Sequence, residues 1–154
     1  MHLSLKTLLN HVEKLDGFVY ESSRMINGKS AGTRSRGTGL IEIQIRERTG
    51  SQGKCSGCQK SAPGYDRQRH RRFQFVPLWG ISTCFRYAPR RLNCADCGIH
   101  VEYLPWALGK RPLTKSFAWF LSSWAKLLSW QQTSKTFKTS WECVFRSVEM
   151  AVDW

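Results

Sequence analysis

The first apolar pattern along the chain is helical. Leu5, Leu8, Leu9, Val12 and Leu15 recur at steps of three and four, one stripe of a short amphipathic helix that Asp16 and Gly17 terminate. Residues 27–39, NGKSAGTRSRGTG, hold four glycines and no large apolar side chain, the composition of a basic loop or linker. The period then changes to two. In LIEIQIRER, Ile41, Ile43 and Ile45 alternate with Glu42, Gln44 and Arg46, which predicts a strand with one buried face. RRFQFVPLWGISTCFRYAPRR gives two more strand-like runs around a turn at Pro77–Gly80, and IHVEYLPW alternates again until Pro105.

From Leu113 the period is helical once more. Phe117, Leu121, Trp124 and Leu128 form one stripe; Trp141, Val144, Phe145, Val148, Ala151 and Val152 form another. A short helix over 130–136 lies between them. SWQQ at Ser129–Gln132 and TSWE at Thr139–Glu142 both match the capping box, in which a hydroxyl caps the helix and the side chain three residues on bonds back. Two helix starts so close together leave room for about two turns and a tight connection, the spacing of a helix-turn-helix. Ser134 fits the small-residue slot of its first helix, and Lys138 stands where glycine is usual.

Composition narrows the partners. The chain has 154 residues, enough for one ordinary domain or two small ones. Its 24 Lys and Arg against 11 Asp and Glu leave a formal charge of +13, which favours a polyanion, nucleic acid ahead of an anionic membrane. The most apolar stretch, FAWFLSSWAKLLSW, is broken by Lys126 and falls short of the roughly 18–20 apolar residues a membrane span requires. The N-terminus lacks the basic region and small-residue cleavage site of a signal peptide. A cytoplasmic location with reduced thiols is the expectation.

Four of the six cysteines form two C-x2-C pairs, Cys55 with Cys58 and Cys94 with Cys97, separated by residues 59–93. Such pairs supply four thiolates to one tetrahedral metal, and a single structural zinc is the default occupant. Iron in a rubredoxin-like site and a disulfide are the alternatives. A thioredoxin-like dithiol needs one pair entering a helix, and covalent haem needs His after the second cysteine, where Gln59 and Gly98 stand. Gly98 suits the tight turn around a metal; the first pair lacks that glycine and has Gly57 inside instead. The separation exceeds the common 15 to 20 or so residues, and two strands and a turn would fill it as a ribbon with the pairs at one end. Cys84 and Cys143, inside a strand and a helix, read as packing residues, and His70 and His100 as surface residues.

Arg67, Arg69, Arg71 and Arg72 follow the first pair, and Arg90 and Arg91 precede the second; together they make a candidate patch for backbone phosphates. In the helical segment Lys135, Lys138, Ser140, Arg146 and Ser147 are candidates to face DNA. The reading is α+β: residues 1–39 as an N-terminal helix, strand and basic linker, 40–108 as a small antiparallel zinc ribbon with four cysteine ligands, and 109–154 as an all-α helix-turn-helix module.

Taken in order, CxxC, GYDR, RRF, VPLWG, RR before CADCG, VEYLPWA, LT, FAWFL and SWECVFRSVEMAV closely resemble the N-terminal part of ISL-three family insertion-sequence transposases, over nearly the whole chain. The resemblance implies that Cys55, Cys58, Cys94 and Cys97 ligate the ribbon's metal. It implies further that Ser129–Val152 reads double-stranded DNA at the element's terminal inverted repeats, with self-association as in transposase assemblies. The family continues into a DDE catalytic region whose carboxylates hold metal ions; Asp66, Asp96, Glu102 and Glu142 lack that scaffold. The expectation is therefore a non-enzymatic DNA-binding portion of a bacterial, nucleoid-associated transposase. A free-standing zinc-dependent regulator or repressor is the alternative, and a metal-dependent redox protein a third reading.

Overall fold

The structure is a computed structural model and describes residues 4–27 and 39–153; the basic linker expected over 27–39 lies almost wholly outside the described residues. The expected α+β class holds, with strand the dominant state. Helix α1 (Leu5–Val12) is followed by strands β1 (Phe18–Ile26), β2 (Leu40–Glu47), β3 (Gly53–Lys54), β4 (Ser61–Ala62) and β5 (Gly64–Arg67). Then come β6 (Arg71–Leu78), β7 (Ile81–Tyr87), β8 (Arg90–Cys94) and β9 (Gly98–Val101), and helices α2 (Lys115–Trp124), α3 (Trp130–Thr136) and α4 (Trp141–Val152). The strands form sheets of order β1-β2-β7-β6, β3-β4 and β5-β8-β9. The strands expected to fill the ribbon between the cysteine pairs, β6 and β7, belong instead to the four-stranded sheet. Their turn has Trp79 at φ 51° and Gly80 at φ 74°, two left-handed residues whose twist matches that of a two-residue hairpin.

The chain divides into two compact units, each drawn from three stretches: 1–24, 43–72 and 85–105 in the first; 25–42, 73–84 and 106–154 in the second. In the first unit the alternation read from the sequence buries Ile43 and Ile45, with Phe85 and Tyr87, beside Phe18 and Tyr20. Phe18 meets Tyr87 edge-on at 5.4 Å and Tyr20 meets Phe85 at 5.8 Å, the geometry that ring quadrupoles favour. Tyr20 donates its hydroxyl to the Glu13 carbonyl at 2.5 Å, which ties the exit of α1 to β1. Of the stripe on α1, Leu9 is buried while Val12 faces solvent.

The second unit mixes strand and helix rather than being all-α. Its core is Leu113, Phe117, Ala118, Leu121 and Val144, with Phe120, Phe137 and Met150 packed against it. Thr114 fixes the entry to α2: its hydroxyl accepts from the Phe117 amide and donates to the Gln74 carbonyl, so the helix starts beside β6. The capping box at Ser129 and Gln132 forms as expected. At α4 the cap is Ser140, which accepts from the Cys143 amide, in place of Thr139. Thr139 is held elsewhere, its amide donating to the Ser134 carbonyl and its hydroxyl 3.4 Å from Gln74 Oε1. The buried face of α4 is also rotated from the expected stripe. Val144 and Ser147 are buried, whereas Trp141 and Val152 are exposed. Ser147 tolerates burial because its hydroxyl donates to the Cys143 carbonyl at 2.6 Å.

Candidate metal centre and its arginine frame

Each cysteine pair sits at the tip of an antiparallel hairpin in the first unit. Cys55 and Cys58 lie between β3 and β4, paired Gly53 with Ala62 and Lys54 with Ser61. Cys94 and Cys97 lie at the turn from β8 to β9, where Cys94 pairs with Gly98. Backbone bonds clamp the tips together: Ser56 donates to the Val101 carbonyl, Tyr103 to Lys54, and Asn93 to Pro63, while Cys55 bridges Glu102. The four sulfurs lie within 4.8 Å of one another, with Cys58 and Cys94 at 3.4 Å. A tetrahedral metal with bonds of about 2.3 Å would space four thiolates by about 3.8 Å, so the donor set fits one metal ion. Cys84 and Cys143 stand outside this cluster, in β7 and α4, as expected.

The turns explain the glycines. Gly98 takes φ 78° after the second pair, and Gln59, its counterpart after the first, takes φ 62°. A side chain in that region costs on the order of 1 kcal/mol, and the Gln59 amide bond to the Cys55 carbonyl at 2.9 Å helps hold it there. Gly57 suits the close approach: a Cβ there would stand 3.1 Å from Cys97 Sγ, a crowded contact. Its amide donates to Cys55 Sγ at 3.4 Å, which stabilises charge on that sulfur.

Within the cluster the thiols oppose one another's ionisation. Amides of Cys97 and Asp96, with hydrogen bonding from Cys58, draw Cys94 down to about 7. Hydrogen bonding to Cys58 and desolvation push Cys97 up to about 12. At Cys58 the Lys60 amide favours ionisation, but the bond to Cys94 and desolvation outweigh it and hold the thiol above its ordinary value. Four thiolates side by side need a cation to share, which is the chemistry of a metal ligand set.

Three of the flanking arginines come together, since β5 pairs with β8 so that Asp66 faces Arg91 and Arg67 faces Arg90. Each of the three, however, has an acidic partner. Glu102 is buried and accepts on Oε1 from the Tyr87 hydroxyl at 2.6 Å and the Arg90 amide at 2.7 Å. Its Oε2 accepts from Arg90 Nε at 2.8 Å and lies 2.7 Å from Nη2. Burial and the bond to Glu102 hold the Tyr87 phenol well above its ordinary value. Arg67 bonds Glu47 at 2.5 Å, and Arg91 grips Asp66 through two nitrogens. These guanidiniums hold both carboxyls below the usual range, in each case chiefly by hydrogen bonding. Arg90 is therefore corrected from a phosphate contact to part of the frame. Arg69 is exposed, between β5 and β6, with Arg71 and Arg72 starting β6.

In the second unit Lys135 is exposed on α3 and Arg146 on α4, where Arg146 bonds Glu149 at 3.0 Å. Lys138 sits in the connection at φ 52°. Ser140 is engaged as the α4 cap, and Ser147, buried against its own helix, is corrected as a groove-facing residue. Sequence reasoning missed the Glu102 frame: in IHVEYLPW the acid falls on the polar phase of the alternation, which reads as solvent-facing, whereas the structure buries it. Compared with known proteins, the chain matches no family model, no curated protein and no solved structure. No helix among the described residues is long and apolar enough to cross a membrane.

Three outcomes follow from this geometry. Metal titration should saturate at one ion per chain, Cys94→Ser should abolish stoichiometric binding, and Cys84→Ser and Cys143→Ser should leave it intact; plasma mass spectrometry of dialysed protein reads each. Gln59→Gly should raise the stability of metal-loaded protein by about 0.5–1 kcal/mol by relieving the left-handed side chain, whereas Gly98→Ala should lower it by about 1 kcal/mol or more, both measured by urea denaturation. Removing the guanidinium in Arg90→Met strands the buried Glu102 carboxylate and should cost about 3–5 kcal/mol, while Arg69→Ala should stay within about 0.5 kcal/mol; equal losses would contradict the frame.

Proposed function

We propose that this chain is the DNA-recognising portion of an insertion-sequence transposase similar to the ISL-three family, itself non-catalytic, with a structural zinc in the first unit and a helix-turn-helix in the second. The observation that carries the reading is the α3–α4 pair. Thr136 ends one helix, Trp141 begins the next, and Lys138 supplies at φ 52° the left-handed residue that glycine usually provides in such a connection. Both helices start on side-chain caps, and Val144 of α4 packs into the core with Phe117 and Leu121 of α2. In this reading α4 enters the major groove with Arg146 outward, and Lys135 contacts phosphate. The Arg146 bond to Glu149 is exposed and worth little, so a phosphate or a guanine edge competes with it readily.

Zinc is the assigned metal because four thiolates in a tetrahedral arrangement suit it without redox chemistry. Bound there, it would join the two hairpin tips, and its contribution is to folding. The charge of +13 supports a nucleic-acid partner, and the terminal inverted repeats of the element are the assigned target.

Selection from a random duplex library with zinc-loaded protein tests the reading. A motif should enrich, and its affinity should fall by about a thousandfold between 50 and 200 mM salt if some six phosphates are contacted. Equal affinity for enriched and scrambled duplexes, measured by fluorescence anisotropy, would overturn sequence-specific recognition.

A further inference from the structure

Among the described residues, the second unit carries a groove of about 470 Å³ lined by Trp130, Gln131, Ser134, Lys135 and Trp141. Both indoles are about half exposed, at 40% and 59%. They form one aromatic set, because each meets the Phe145 ring, Trp130 at 5.3 Å and Trp141 at 6.1 Å. Neither ring closes the core, which is built from Leu113, Phe117, Leu121 and Val144. The polar lining is equally suggestive. Among the described residues Lys135 makes no ion pair and the Gln131 amide no hydrogen bond, while the Ser134 hydroxyl is spent on the Gln131 carbonyl. The groove thus offers aromatic faces, one amide able to donate and accept, and one ammonium.

We propose that this groove binds an unpaired nucleobase of a single-stranded or locally opened nucleic acid, stacked on Trp130 and Trp141, with its edge met by Gln131 and its phosphate by Lys135. Bases still stacked in a duplex cannot offer their faces to an indole, so aromatic platforms of this kind take unpaired bases. Charge complementarity selects the occupant: an apolar peptide would leave the Lys135 ammonium unanswered, whereas a nucleotide answers both the rings and the cation. The proposal deepens the nucleic-acid reading above and rests on it, because a DNA end or an opened strand would have to be presented to α3.

Anisotropy of zinc-loaded, full-length protein with a labelled twelve-residue thymidine oligonucleotide, alongside the enriched duplex, is the test. Trp130→Ala and Trp141→Ala should each weaken the single strand by about tenfold or more, given about 1–3 kcal/mol per stacked base. Duplex affinity should fall clearly less than single-strand affinity in both variants. Trp141→Tyr should restore most of the loss, and Leu127→Ala, an exposed apolar residue outside the groove, should change nothing. Unaltered thermal unfolding of each variant excludes misfolding as the cause. Single-strand affinity that is absent, or insensitive to both tryptophan variants, while duplex binding persists overturns this inference and leaves DNA recognition standing. Loss of both oligonucleotides in the unsubstituted protein overturns both. Equal weakening of single strand and duplex makes the groove a general DNA contact, and a concentration-dependent dimer abolished by Trp141→Ala makes it a surface for a second copy; either result overturns the unpaired-base assignment.

Discussion

Holding four sulfurs within 4.8 Å is the constraint on which the first unit depends. Strands β3 and β4 contribute two residues each, and β5 and β9 four, lengths at which backbone pairing alone is marginal. Their tips meet because Cys55 and Cys58 must reach Cys94 and Cys97 across the intervening chain, and the rest of the local architecture serves that meeting. Gly57 gives up its side chain to make room for Cys97 Sγ, and Gln59 accepts a left-handed backbone to complete the turn. Around the sulfurs the apolar cluster is small, Ala62 and Leu92 beside Cys55 and Cys94, while the larger burial of this unit lies with Ile43, Ile45, Phe85 and Tyr87.

The second support is electrostatic and lies one bridge from the first. Glu102 pairs across from Cys55 while its carboxylate is satisfied by Tyr87 and by the amide and guanidinium of Arg90. A buried carboxylate with all these partners specifies one arrangement of β8 and the segment after β9, because any slip would strand a charge in the interior. This changes how the positive charge is understood. Arg67, Arg90 and Arg91 are planar forks used against Glu47, Glu102 and Asp66, a role for which guanidinium is better suited than ammonium. The cations available to a polyanion are therefore fewer than the composition suggests. Arg69 and Lys135 have no ion pair among the described residues, and the exposed Arg146 pair is easily exchanged.

How much was legible in the sequence depended on the range of the signal. The cysteine cluster was legible because fixed spacing within each pair is a local signal, even though the separation between pairs was unusual. Helix α3 was legible because a capping box needs only four residues. The ribbon's strands were not, since two residues cannot display a period of two, and the longer alternations in 71–87 were credited to the ribbon by proximity alone. On α4 the apolar stripe pointed to Trp141 and Val152, but helix rotation is set by which side packs on α2. Ser147 takes a buried place because it satisfies its own hydroxyl on the Cys143 carbonyl of the same helix. Glu102 was illegible for a related reason: an acid in an alternating strand reads as the solvent face unless its arginine partner, twelve residues back, is known to lie beside it.

Trp141, displaced by that rotation, and Trp130 on α3 carry a further consequence. Each apolar Å² left in water forgoes roughly 25 cal/mol, and half-exposed indoles at positions 130 and 141 leave a substantial contiguous area uncovered beside Phe145. A surface lysine or glutamine at Trp141, the first helical residue after the Ser140 cap, would serve α4 as well, since capping is done by the serine and the core contact by Val144. Folding of the second unit therefore does not account for an indole there. Beyond their contacts with Phe145, the exposed faces of these indoles add nothing to folding, and exposed apolar patches of this kind commonly mark binding surfaces, which is the ground for the unpaired-base proposal.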